Sequence, residues 1–247
     1  MVRNFTMENL LDNSHSTFDD IRGNYVKIRG NIERAMKDAG RADSVRLMAV
    51  TKTVSPDRIN YAVELGIDLL GENRVQEYLD KRDSYSPAEV HFIGALQTNK
   101  VKYIIDKVSM IHSVDSRHLA EEINRRAAQH GIIMDILAEV NIGEEETKSG
   151  ISAAEVLDFC SGLAELSNIR LRGLMTIPPP GCSEDCFARM QKLFESVKTL
   201  PRYKDKGQID TLSMGMSSDY ETAVKYGATI IRIGSGLFGY RQGKNPT

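Results

Sequence analysis

Eight short apolar runs, each followed by a single helical segment, constrain this chain more than any other feature. The runs are Val45–Thr51, Ile67–Leu70, Val90–Ile93, Met110–Ser113, Ile133–Val140, Arg170–Ile177, Thr211–Met214 and Thr229–Ile233. Helices are expected to begin near Ser55-Pro56, Glu72, Gln97, Ser116, Ser152, Ser183 and Ser218, several on a capping residue or a first-turn proline. Strands separated by helices do not pair as hairpins; each crosses over to a parallel neighbour. Eight such units in ~250 residues predict one α/β domain, a single (β/α)8 TIM barrel, over a doubly wound open sheet. The chain has 247 residues with no linker or compositional break between units, so the barrel domain is expected over residues 16–247. It opens with an N-terminal helix, since Phe18, Ile21, Tyr25, Ile28, Ile32 and Met36 recur at three and four residues and the stripe stops near Gly40. Residues 1–15 are polar and patternless and are expected to form an N-terminal extension.

Charge narrows the function classes. A net charge of −2, with lysines and arginines dispersed along the chain, lacks the basic stripe of a nucleic-acid binder. No run approaches the roughly 18 apolar residues of a membrane span, and the first residues carry no secretory core, so a cytoplasmic location is expected. Cys160, Cys182 and Cys186 are an odd set for a disulfide framework and suit a reducing compartment. Cys182 and Cys186 have no nearby histidine to complete a metal site, and none is expected.

In such a barrel the reactive groups stand at the C-terminal ends of the strands. Here those ends carry Thr51-Lys52, Gly71-Glu72-Asn73-Arg74, Asn141, Thr176, Met214–Ser218 and Gly234-Ser235. Alternation places Lys52 in phase with Met48 and Val50, facing the barrel mouth, while Leu47, Ala49 and Thr51 face the helices. Most lysines are solvated surface charges; a strand-end lysine aimed into a mouth is a candidate Schiff-base amine. Ser218-Asp219-Tyr220-Glu221 reads as a capping box, which needs no ligand, yet a helix start beside the last two strands is also a phosphate site in many barrels.

Gly234-Ser235-Gly236-Leu237-Phe238-Gly239 matches a dinucleotide fingerprint, but only eight residues follow Gly239, too few for the acidic residue expected about 20 positions later. A smaller phosphate is the better fit. Arg232 shares the interior face with Ile230 and requires either a ligand atom or a carboxylate from another strand. The five histidines show no metal spacing and read as structural, and Glu144-Glu145-Glu146 reads as a solvated loop.

Several motifs resemble the pyridoxal phosphate homeostasis proteins, single-domain relatives of the alanine racemase N-terminal barrel. They are Ala49-Val50-Thr51-Lys52, Gly71-Glu72-Asn73-Arg74-Val75-Gln76-Glu77, His91-Phe92-Ile93-Gly94 with Leu96-Gln97-Thr98-Asn99-Lys100, Gly173-Leu174-Met175-Thr176-Ile177-Pro178, Leu212-Ser213-Met214-Gly215-Met216-Ser217-Ser218-Asp219 and Arg232-Ile233-Gly234-Ser235. The resemblance runs from the first helix to Arg241. One departure is Ala95, where the family pattern has a larger residue.

The resemblance implies pyridoxal 5′-phosphate as cofactor, held as a Schiff base on Lys52. It implies that Ser217, Ser218, Gly234 and Ser235 hold the phosphate together with the Met214 turn, that Asn73 lies beside the ring, and that Arg232 faces the pyridine nitrogen. The implied function is intracellular buffering or delivery of the cofactor without efficient catalysis, because two-base racemisation takes one group from a second domain and this sequence closes with its barrel. A low-efficiency amino-acid racemase is the alternative, and a cofactor-free sugar-phosphate aldolase using Lys52 is a third reading. Expected partners are pyridoxal phosphate and, as recipients, pyridoxal phosphate-dependent apoenzymes, with no nucleic acid or membrane. The chain is expected as a monomer or weak dimer.

Overall fold

The computed structural model describes residues 7–145, 147–204 and 208–239; residues 1–6 of the expected extension and the expected barrel end from 240 onward lie outside them. Helix α1 spans Met7–Asp38, so helical backbone begins well before the apolar stripe at Phe18. The strands follow as β1 (Arg46–Val50), β2 (Leu69–Glu72), β3 (Glu89–Phe92), β4 (Met110–Val114), β5 (Met134–Asn141), β6 (Ile151–Ser152), β7 (Ile169–Thr176), β8 (Thr211–Ser213) and β9 (Ile230–Ile233). The helices after them include α2 (Pro56–Glu64), α3 (Val75–Lys81), α4 (Val101–Ile104), α5 (Arg117–His130), α6 (Val156–Leu163), α7 (Ser183–Lys198), α8 (Tyr220–Lys225) and α9 (Ser235–Phe238).

Every strand pair is parallel, in the order β4-β3-β2-β1-β9-β8-β7-β5, and β4 also pairs β5, which closes the barrel. The eight expected runs correspond to its eight staves. The two-residue β6 is an addition. It pairs Val140 and Asn141 of β5, beyond the last β4 partner at Ala138, and so covers an edge that the longer β5 would otherwise leave open.

Alternation divides the side chains into two cores. Residues such as Leu47, Ala49, Leu70, Phe92, Ile111 and Ile231 face the helices and form the large outer layer. The barrel interior holds two small apolar clusters, Met48, Val50, Leu69, Ile93 and Ile230 on one side and Met110, Leu137 and Met175 on the other. Between them sit buried polar groups: His91, His112, Ser213, Glu139 and Arg232. Helix α1 lies across α2, α8 and α9, and its Asn24 Nδ2 donates to Leu237 O at 3.1 Å. Helix α1 is thereby fastened to α9, the short helix that follows β9.

The barrel ends differ chemically. At the strand starts, Arg46 is paired with Glu89 at 2.7 Å and Asp68 at 3.3 Å, while Asp135 binds Arg170 and Arg172, each at 2.6 Å. Those charges neutralise one another locally. The strand ends instead present Lys52, Asn73, Ser217, Ser218 and Ser235. No described helix is long and apolar enough to cross a membrane.

Candidate functional site

Lys52 follows β1 in phase with Met48 and Val50, and its side chain is exposed at the mouth. Its two neighbours are fastened from outside the barrel. Thr51 is buried, and its Oγ1 donates to Glu72 Oε1 at 2.7 Å; burial raises the Glu72 carboxyl above its usual range, against the bonds from Tyr85 and Thr51. Thr53 stands at φ 62, the left-handed region a β-branched residue rarely enters, and its N–H donates to the Glu77 carboxylate. Lys81 Nζ adds bonds to Thr51 O at 3.0 Å and Val54 O at 3.1 Å. This over-determined turn fixes the direction in which Lys52 leaves the strand.

The loop after β8 and the start of α9 meet at two serines. Ser217 Oγ accepts the Gly236 N–H at 3.0 Å and lies 3.5 Å from Ser235 Oγ. Gly236 permits the contact, since a Cβ there would stand 3.1 Å from Ser217 Oγ. Gly234 packs on β1, where a Cβ would lie 3.5 Å from Val50 Cβ, two residues before Lys52. The serine pair therefore adjoins the lysine strand. The N–H groups of Ser217 and Ser218 donate to no described backbone acceptor.

The capping box does not form. Helix α8 starts at Tyr220 with Asp219 as its N-cap residue, and Ser218 is exposed. Asp219 is occupied elsewhere: its Oδ1 accepts the Met216 N–H at 2.7 Å and its Oδ2 accepts from Ser183 Oγ at 3.0 Å. The carboxylate thus shapes the turn and leaves both serines available. Met214 is also placed differently from its neighbours, because Ser213 takes the interior position and the Met214 side chain is buried in the outer core. Only its backbone is near the mouth.

Asn73 continues the interior phase of β2, half-buried, with Oδ1 lacking any partner. A buried amide oxygen of this kind calls for a donor. Gly94 lets the following loop abut it: a Cβ at Gly94 would fall 2.1 Å from Asn73 O.

Arg232 is buried beside Met48, its register partner on β1. Its Nη1 donates to Ser213 Oγ at 2.7 Å and its Nη2 to Thr176 O at 2.8 Å. It forms no salt bridge to a described carboxylate, so the expected alternative of a buried ion pair is replaced by neutral acceptors. Burial pushes its pKa down to about 10, against the attraction of Glu139 and Asp219, and the group remains cationic at neutral pH. Glu139 lines the same interior; burial first, then Asp115, pushes its carboxyl up to about 7, with Arg232 opposing.

Two of the five histidines, all expected to be structural, join one polar chain that their spacing does not show. His112 Nδ1 lies 3.1 Å from Ser213 Oγ, His112 Nε2 lies 2.9 Å from His91 Nδ1, and His91 Nε2 lies 2.8 Å from Glu89 Oε1. A continuous polar chain therefore runs from Arg232 near the mouth to Glu89 at the strand starts. The signal was available in the alternation of Met110 with His112 and of His91 with Ile93.

The "Alanine racemase, N-terminal domain" family model matches residues 24–242. A pyridoxal phosphate homeostasis protein of Aquifex aeolicus is 43% identical over 220 residues, covering 87% of this chain and 96% of its own length. Its counterpart in Escherichia coli strain K12 is 36% identical over 233 residues, covering 90% and 97%. Among solved structures, PipY of Synechococcus elongatus with PLP bound superposes with a TM-score of 0.72 at 32% identity, covering 85% of this chain and 100% of that one.

Proposed function

The chain belongs to the pyridoxal phosphate homeostasis protein family, and on that premise we propose that it binds pyridoxal 5′-phosphate and buffers or delivers it within the cytoplasm, with little turnover of its own. The observation that carries this reading is the meeting of Ser217 and Ser235 beside the strand that bears Lys52. A phosphate needs several convergent donors, and an aldehyde needs an amine within reach.

The residues fit the cofactor. Lys52 would bind it covalently as a Schiff base, and the hydroxyls of Ser217, Ser218 and Ser235, with free N–H groups and the close backbone at Gly234, would hold its phosphate. The partnerless Oδ1 of Asn73 supplies an acceptor beside the ring. Met214 contributes backbone alone. When bound, the cofactor would supply an electrophilic carbon and an electron-withdrawing ring.

Arg232 sets the limit on chemistry. A guanidinium that stays charged near neutral pH would, beside the pyridine nitrogen, disfavour its protonation and weaken the ring as an electron sink. That would slow proton removal at Cα, which fits a protein that binds and releases the cofactor with little turnover. The test is a transfer assay: the loaded protein should restore activity to a pyridoxal phosphate-dependent apoenzyme, while amino acids incubated with it in D2O gain no deuterium at Cα. Rapid deuterium uptake would replace this reading with the racemase.

A further inference from the structure

The first turn of α7 carries two thiols outside the groups assigned to the cofactor. Cys182 is the N-cap residue and Cys186 follows one turn later, where its N–H donates to Cys182 O at 3.0 Å. That bond stacks their side chains, and the two Sγ atoms lie 2.7 Å apart. Closing this gap to a disulfide of about 2.05 Å requires a shift of well under an ångström. Cys182, at φ −107 and ψ 12, is not bound by helical geometry and can supply the shift.

The pair is asymmetric. Cys182 is half-buried and reachable from solvent, whereas Cys186 is fully buried. Burial, reinforced by the contact with Cys182, pushes the Cys186 thiol up to about 12. Among the described residues no group of three or more His, Cys, Asp or Glu is placed to hold a metal, so thiol chemistry rather than ligation is the use this pair supports.

The same turn touches the serine loop. Ser183, between the two cysteines, donates to Asp219 Oδ2 at 3.0 Å, and Asp219 Oδ1 accepts the Met216 N–H at 2.7 Å. A change in the first turn of α7 therefore reaches the turn that carries Ser217 and Ser218.

We propose that Cys182 and Cys186 are a reversible redox modification site, oxidised to a disulfide by hydrogen peroxide and hydrogen-bonded through Ser183 and Asp219 to the serine turn. The Cys182 sulfur attacks a peroxide oxygen; an S–O bond forms, the O–O bond breaks, and the departing hydroxide takes up the thiol proton as water. The Cys186 sulfur then attacks the sulfenic sulfur. An S–S bond forms, the S–O bond breaks, and the second hydroxide leaves as water with the Cys186 proton. Two thiols and one peroxide give one disulfide and two waters. The thiol chemistry stands without the cofactor; only its bearing on phosphate binding rests on the function proposed above.

The experiment treats the full-length protein, without and with pyridoxal phosphate, with stoichiometric hydrogen peroxide, then alkylates free thiols and maps peptides by mass. The peptide holding Cys182 and Cys186 should lose two hydrogens and resist alkylation, with Cys160 still a free thiol, and dithiothreitol should reverse the change. Cys186→Ser should accumulate a sulfenic acid at Cys182 that dimedone traps, and Cys182→Ser should leave Cys186 reduced. Hydrogen exchange across Met216–Asp219 should slow on oxidation of the wild type and not of the double serine variant. Full alkylation of both cysteines after peroxide, or oxidation of Cys186 in Cys182→Ser, would overturn the site; unchanged exchange would overturn its link to the turn. Running the protein without cofactor keeps these outcomes separate from any failure to bind pyridoxal phosphate.

Discussion

His91 Nδ1 and His112 Nε2 lie 2.9 Å apart inside the barrel, with both rings shut off from solvent. Burial, the largest cause, holds the His112 pKa well below the usual imidazole range. The His91 bond is the largest cause lowering Glu89 to about 2, so Glu89 ends the chain as a carboxylate. In the tautomers in which His112 Nε2 donates to His91 Nδ1, one proton arrangement satisfies every contact. Arg232 donates to Ser213, Ser213 to His112 Nδ1, His112 Nε2 to His91 Nδ1, and His91 Nε2 to Glu89. All donors point from cation to anion.

Breaking that chain in the middle strands two polar groups. His112→Leu leaves Ser213 and His91 each short of a partner and is expected to cost about 2–4 kcal/mol in urea unfolding. His112→Gln, whose amide can both accept and donate, is expected to recover part of the loss.

Glu139 gives a pH dependence of definite sign. Its folded pKa is raised from 4.5 to about 7, so between these values the folded chain keeps a proton that the unfolded chain has released. Stability therefore falls as pH rises through that window and the loss is constant above it, amounting to roughly 3 kcal/mol. Glu139→Gln removes the titration. Urea melts of wild type without cofactor should lose stability relative to this variant between pH 5 and pH 8.

The serine pair is tested by comparing two ligands. Ser217→Ala or Ser235→Ala removes a hydroxyl from the proposed phosphate site and should weaken pyridoxal phosphate binding roughly tenfold, as expected for one bond to a charged group. Pyridoxal, which lacks the phosphate, should bind both variants as it binds wild type. Equal weakening of the two ligands would locate the serines elsewhere.

Gly94→Ala brings a Cβ to within 2.1 Å of Asn73 O, a backbone atom that cannot move without its strand. A loss above about 2 kcal/mol is expected, at the upper end of ordinary substitutions. It should be accompanied by weaker cofactor binding, since Asn73 is displaced.

The eight barrel strands were legible because buried parallel strands are apolar runs, and each lies within about two residues of its expected bounds. The two-residue β6 carries too short a pattern to be read. The capping box failed because Asp219 and the serines have a tertiary use that spacing does not reveal: its carboxylate is taken by Met216 and Ser183. Alternation placed Arg232 inside, yet its acceptors, the Ser213 hydroxyl of β8 and the Thr176 carbonyl of β7, are reached only once those strands pair. The Met214 side chain is buried in the outer core, which its place at the end of an apolar run does not reveal. The histidine chain was hidden for the same reason as the acceptors of Arg232, since His91, His112 and Ser213 meet only when the barrel closes.

The most direct test of the cofactor reading is borohydride reduction of the protein loaded with pyridoxal phosphate, followed by peptide mass mapping. A stable pyridoxyl adduct on the peptide containing Lys52, lost in Lys52→Ala, is the predicted result. An adduct on another lysine, or one that persists unchanged in Lys52→Ala, would contradict it.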